Sequence, residues 1–330
     1  MKNRIRMAMV VASLITVVAF GFSGSNPASA AGTSRLAIGT AGTTGVYYMY
    51  GGAIANVISK FAPELKATAE ATGGSVENLK LLNKKELDLA TVTADVVNEA
   101  VYDFKDSKHF KNKIEIKALF NMYTQPIHIV VLENSSVKNI LDIKGKRVVV
   151  GSPGSGTEVK TRAMLSVLGL EYNRDFKPEF LSFAEGCDAL QDKTVDAFFL
   201  SVALPAPALV SLALTNPIRL ISLSNAEVDK IQKSYPFLTK TVIPGKTYKD
   251  VDENAQTVSV QSLVVCRNDL PDDVAYKIVK VVFEHKAELD QIHSAFKETT
   301  LKDATPTIVP IHPGAVKYFK EMNVYKERQQ

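Results

Sequence analysis

Twice in this chain a short apolar strand ends in a loop of Gly, Ser and Thr and hands over directly to a helix. Ile38–Gly45 reads IGTAGTTG, and 112 residues later Val150–Thr157 reads VGSPGSGT. The first unit has a strand over Arg35–Thr40 and a helix whose Ile54, Val57, Ile58 and Phe61 recur at i, i+3, i+4, i+7. The second has a strand over Arg147–Gly151 and a helix with Val159, Ala163 and Val167, flanked by Met164 and Leu168. Glycines at such a junction let the backbone approach a ligand closely. The helix start adds free N–H groups and the positive end of its dipole. Tyr47 and Tyr48 follow the first loop and offer flat apolar faces with a hydroxyl rim. Two such units set the fold class as α/β, with two lobes facing one another across a cleft.

The rest of the chain repeats the device. A strand over Leu65–Ala71 ends in Thr72-Gly73-Gly74-Ser75, before a helix striped with Val76, Leu79 and Leu82. Another, over Leu87–Thr93, passes through Thr93-Ala94-Asp95 into a helix with Val97 and Val101. In open α/β sheets ligands sit beyond the C-terminal ends of the strands, so these loops should meet at one place. Pro126–Leu132 reads as the strand that crosses into lobe two. Strands near Glu179–Ser182, Val195–Val202 and Ile218–Leu223 alternate there with helices through Ala189 and Leu190 and from Pro207 to Leu214. Thr257–Cys266 is the return strand and should pair with the crossing strand as a two-stranded hinge. Pro271 then opens a long helix back on lobe one. The expected organisation is residues 1–30 as a signal, 31–125 as the first part of lobe one, 126–258 as lobe two and 259–330 as the return.

The signal reading rests on Lys2, Arg4 and Arg6, the apolar run Met7–Phe22, and the small-residue cleavage pattern Ala28-Ser29-Ala30. Cleavage after Ala30 would release a soluble periplasmic protein starting at Ala31. The signal carries three of the 39 basic residues and no acidic ones, so the remaining 36 nearly balance the 35 acidic residues. Nucleic acid is therefore not implied as a partner. Cys187 and Cys266 stand in different lobes and read as separate buried thiols.

Several chemistries are absent from the sequence. Gly151–Gly156 has the glycine spacing of a P-loop, but Thr157-Glu158 stand where Lys and a hydroxyl residue belong. No G-x-S-x-G elbow and no H-E-x-x-H occurs. His285 shares a helix face with Ile278, Val282, Leu289 and Ile292, which reads as packing. No enzyme activity, cofactor or metal is expected. Each loop residue also has an ordinary reading: Ser75, Asp95 and Thr157 are common helix caps, and either tyrosine could simply pack.

The segments IGTAGTTGVYYMYGGAIANVI, ATGGSVENLKLL, ALFNMYTQPIHIVV, IKGKRVVVGSPGSGTE, VDAFFL, VIPGKTY and IHPGAVKYFKEM follow one another in order. This series resembles the solute receptors of TRAP transporters of the TAXI type. The resemblance implies a type II periplasmic binding-protein fold and a non-catalytic receptor that delivers a small organic acid or amino acid to a TRAP membrane permease; a monomer is the expected state. It further implies ligand contacts from Thr43, Thr44, Gly45 and Tyr48, from Gly73, Gly74 and Ser75, from Thr93 and Asp95, and from Ser155, Gly156 and Thr157. The chain departs from the family at Asn83-Lys84, at Val92–Asp95 and at Leu204–Pro207. The last two border the cleft and bear on which ligand is held. A binding protein that signals to a membrane sensor kinase is the alternative.

The loops Thr40–Gly45, Thr72–Ser75, Thr93–Asp95 and Ser152–Thr157 contain no Lys or Arg. Helix dipoles contribute about 0.3–1 kcal/mol each to holding an anion. Hydrogen bonds to a charged acceptor add about 1.5–3 kcal/mol. The expectation is thus a small mono- or dicarboxylate of four to five carbons, such as 2-oxoglutarate or glutamate, held without an arginine clamp. In the amino-acid case Asp95 would take the ammonium.

Overall fold

The first strand–loop–helix unit folds as its pattern dictates, with β1 (Ser34–Gly39) leading into α1 (Val46–Phe61). Ile54, Val57 and Ile58 are buried, while Phe61 at the helix end stacks on His285. The computed structural model describes residues 34–327, and the expected export signal over residues 1–30 lies outside them. β2 (Leu65–Glu70), α2 (Ser75–Asn83), β3 (Leu89–Thr93) and α3 (Ala94–Val101) follow. β1 pairs in parallel with β2 on one side and β3 on the other. Buried Asn78 of α2 donates its amide to the carbonyls of Thr40 and Thr91, fixing the ends of two strands relative to one helix.

β4 runs from Ile116 to Leu132, ten residues longer at its start than the apolar run after Pro126 indicates. Pro126 lacks an N–H and so reads as a strand start. It is tolerated inside the strand because the pairing changes there. Up to Pro126, β4 pairs antiparallel with β10 (Ala255–Arg267), and from Ile127 it pairs with β7 (Ala197–Ser201).

Beyond it stand β5 (Arg147–Val149), α4 (Gly156–Val167), β6 (Lys177–Glu179), α5 (Phe183–Gln191), β7, α6 (Pro207–Thr215) and β8 (Ile218–Leu220). α7 (Asn225–Ser234) and β9 (Thr239–Ile243) come next and have no counterpart in the sequence reading. β5 pairs in parallel with β6 and β7. After β10, α8 (Asp272–Glu284) and a last helix over Pro313–Glu321 pack against the first lobe's side of the sheet.

The strand order is β2-β1-β3-β10-β4-β7-β5-β6, with β8 beside β4 and β9 beside β10. One lobe is built round β1–β3 and the other round β5–β8, and the long strands β4 and β10 run through both. This is the two-lobed type II arrangement with a two-strand connection. The divisions drawn after residues 125 and 258 both fall inside these connecting strands. At the connection Tyr123 of β4 packs edge-on against Tyr50, whose ring meets Phe296 at 4.5 Å. Cys187 and Cys266 are both buried and unpaired.

Candidate functional site

The loops at the ends of β1, β2, β3, β5 and β7 enclose a cavity of about 190 Å³ between the lobes. Thr44, Gly45, Gly73, Gly74, Ser75, Thr93, Ser155, Gly156 and Thr157 line it. Thr43 and Tyr48 lie outside the lining, Thr43 exposed to solvent and Tyr48 half-buried. Consecutive helical residues point about 100° apart, so only one of two adjacent tyrosines can face the cleft. That one is Tyr47, whose hydroxyl donates to Ser262 Oγ at 3.1 Å and whose burial raises its pKa. Asp95 also lies outside the lining, on a neighbouring cavity of about 560 Å³.

The two lobes touch through backbone. The N–H groups of Val76 and Glu77, at the start of α2, both donate to the Gly154 carbonyl at 3.1 and 3.3 Å. A Cβ on Gly73 would stand 2.8 Å from the Pro153 carbonyl. Gly74 has φ +112°, a conformation that penalises a side chain at the point of contact. The α2 start is thus turned toward lobe two's loop, and its second and third N–H groups are not free for a ligand.

The hydroxyls are tied as well. Ser155 Oγ caps α4 by accepting the Glu158 N–H at 3.1 Å, and Thr157 Oγ1 accepts the Ser201 N–H at 3.3 Å. Ser201 Oγ donates to Gln125 Oε1 at 3.3 Å, and the Thr93 N–H donates to Ser75 Oγ at 3.3 Å. These bonds hold each oxygen at a fixed place on the cavity wall.

The main correction concerns charge. Lys160, one turn into α4, is 1 % exposed and lines the cavity. Its ammonium donates to Thr93 Oγ1 at 3.1 Å and lies 3.5 Å from Asp95 Oδ2, so it bridges from lobe two to lobe one. Burial pushes its pKa down and the neighbouring Asp95 carboxylate pulls it back up. The loops themselves carry no basic side chain, but a lysine reaches the cavity from within α4. Phase explains the omission. The predicted stripe Val159, Ala163 and Val167 is only half-buried, and the buried face of α4 holds Thr157, Lys160, Thr161 and Met164. Apolar periodicity finds the core side of a helix, and on α4 the first turn of the buried face meets the cleft while Met164 and Leu165 farther along enter the core.

A second bridge lies beside it. His109, after α3, sits 3.7 Å from Glu158 of α4 and 2.8 Å from Glu99 of α3. Glu158 is also paired with Arg162 at 2.7 Å. Glu158 and Glu99 together push the His109 pKa up to about 9. A histidine raised from its ordinary value of about 6.5 contributes stability that is complete below that value and lost as pH rises through 9. The thermal midpoint is expected to fall between those limits, and His109→Gln to remove that part of the decline. An unchanged pH profile in the variant would show that the bridge carries no stability.

A model of the NMT1-like family matches residues 38–322. Among solved structures, a protein from Bordetella bronchiseptica RB50 superposes with a TM-score of 0.53 at 15% identity, covering 87% of this chain and 89% of that one. A putative L-cystine ABC transporter from Listeria monocytogenes gives a TM-score of 0.50 at 13% identity, covering 83% of this chain and 99% of that one. At such identities the likeness shows the fold.

Proposed function

The chain belongs to the NMT1-like family, and on that premise we propose that it is an extracytoplasmic receptor that captures a small carboxylate in the cleft. The observation that carries this reading is Lys160, a buried cation on the wall of a cavity otherwise lined by glycines, hydroxyls, one amide and a few apolar side chains. Asp95 and Thr93 take two of the three ammonium donors, which leaves one N–H for a ligand oxygen at the cavity wall. The cavity of about 190 Å³ is smaller than the roughly 300–1,000 Å³ of drug-sized sites, which fits an acid of four to five carbons such as 2-oxoglutarate or glutamate. Among the described residues its lining holds no His, Cys, Asp or Glu, and Lys160, the one amine beside a hydroxyl, is engaged by the Asp95 carboxylate, so we read the site as one for binding.

The loaded receptor would hand its acid to a TRAP-type permease driven by an ion gradient, as the ordered sequence motifs imply. The Listeria neighbour is named for an ABC transporter, so the energy source of the partner is the point to test. The expected export signal accords with this location, and no helix among the described residues is long and apolar enough to cross a membrane. Native mass spectrometry of the protein purified from its cells should show a bound small acid, released on unfolding. Uptake of that acid should collapse with the ion gradient and persist without ATP. A protein that carries nothing, and that no small carboxylate stabilises against heat, would overturn the reading.

A further inference from the structure

Which kind of carboxylate the cleft takes follows from where its charges stand, given the capture reading above. An α-amino acid brings two opposite charges, and desolvating both requires a counter-charge for each. Lys160, which keeps one ammonium donor beyond those facing Thr93 and Asp95, can meet the carboxylate, and among the described residues the lining has no carboxylate for the ammonium. The acid nearest that cation, Asp95, is outside the lining, with its Oδ2 already 3.5 Å from Lys160 Nζ. The protein's own ammonium therefore occupies the place beside Asp95 that an amino acid's ammonium would need.

The remaining wall offers an ammonium little. The Ser155 and Thr157 oxygens already accept backbone N–H groups, and the Ser201 hydroxyl faces Gln125 Oε1. The start of α4 directs the positive end of a 12-residue helix at the same space. The helix start favours an anion, and none of these features supplies a carboxylate for a second cation beside Lys160.

We infer that the cleft selects small anions that lack an ammonium group, 2-oxo or 2-hydroxy acids and simple carboxylates, over the amino acids of the same skeleton. This decides between the two acids named above in favour of the oxo acid.

The test is calorimetry at pH 7.5 on protein stripped of ligand by unfolding and refolding. Three matched pairs serve as probes: pyruvate with L-alanine, 2-oxoisovalerate with L-valine, and 2-oxoglutarate with L-glutamate. In the pair with the tightest binder, the oxo acid should bind at least about tenfold more tightly, a difference of about 1.4 kcal/mol. An amino acid that binds as well or better in that pair overturns the inference and leaves the capture reading standing. Binding by no member of any pair overturns the capture reading, and the inference with it. The preference should shrink in Lys160→Gln, and an undiminished preference in a folded variant would contradict its assignment to this charge.

Discussion

Lys160→Met should weaken binding of the captured acid by about 2–5 kcal/mol, the usual cost of truncating one partner of a buried hydrogen-bonded charge pair. The side chain is 1 % exposed, so its ammonium is held by protein groups and not by bulk solvent. Methionine keeps the length and apolar stem, which isolates the charge from the packing. The variant also leaves Asp95, whose side chain is 15% exposed, without its cation, so some loss of thermal stability should accompany the loss of affinity. Calorimetry with the acid identified by mass spectrometry separates the two effects. An affinity within threefold of the parent, in a folded protein, would mean that Lys160 only ties the lobes together.

Gly156→Val should block closure. A Cβ there would stand 2.9 Å from Lys160 Nζ and 3.0 Å from both Ser75 Oγ and Thr93 Oγ1, two of them on the opposite lobe. Those oxygens can rotate, but valine adds two more carbons in the same space. Overpacking of this kind costs about 1–3 kcal/mol, and it falls on the closed form because the lobes can part and relieve it. Gly156 starts α4 without a positive φ, so the backbone itself accepts a side chain. The expected result is a protein of near-parental thermal stability that no longer shrinks in small-angle scattering when ligand is added. Normal closure and normal affinity would show that the contact at Gly156 is loose.

Most of the cleft wall was legible because its loops are local. Gly-rich junctions announce a strand that turns into a helix, and the register of β1 with β2 and β3 brings three of them side by side. Lys160 was not legible, because it reaches the cavity from within a helix and its face was assigned by apolar spacing. The choice between Tyr47 and Tyr48 needed the phase of α1, which a glycine-rich start leaves open. α7 has only Val228 and Ile231 buried, too few for a stripe, yet Ser224 and Glu227 form a capping box that marks its start in the sequence. β4 was shortened at Pro126, since a change of strand partner on the far side is a tertiary event.

The role of the cleft is tested most directly by a crystal structure of the protein with the acid it carries from the cell. The predicted result is a carboxylate inside the inter-lobe cavity, with one oxygen within hydrogen-bond distance of Lys160 Nζ and Asp95 still behind that ammonium. An acid found instead in the neighbouring cavity beside His109 and Arg162, with Lys160 contacting only Thr93 and Asp95, would contradict it.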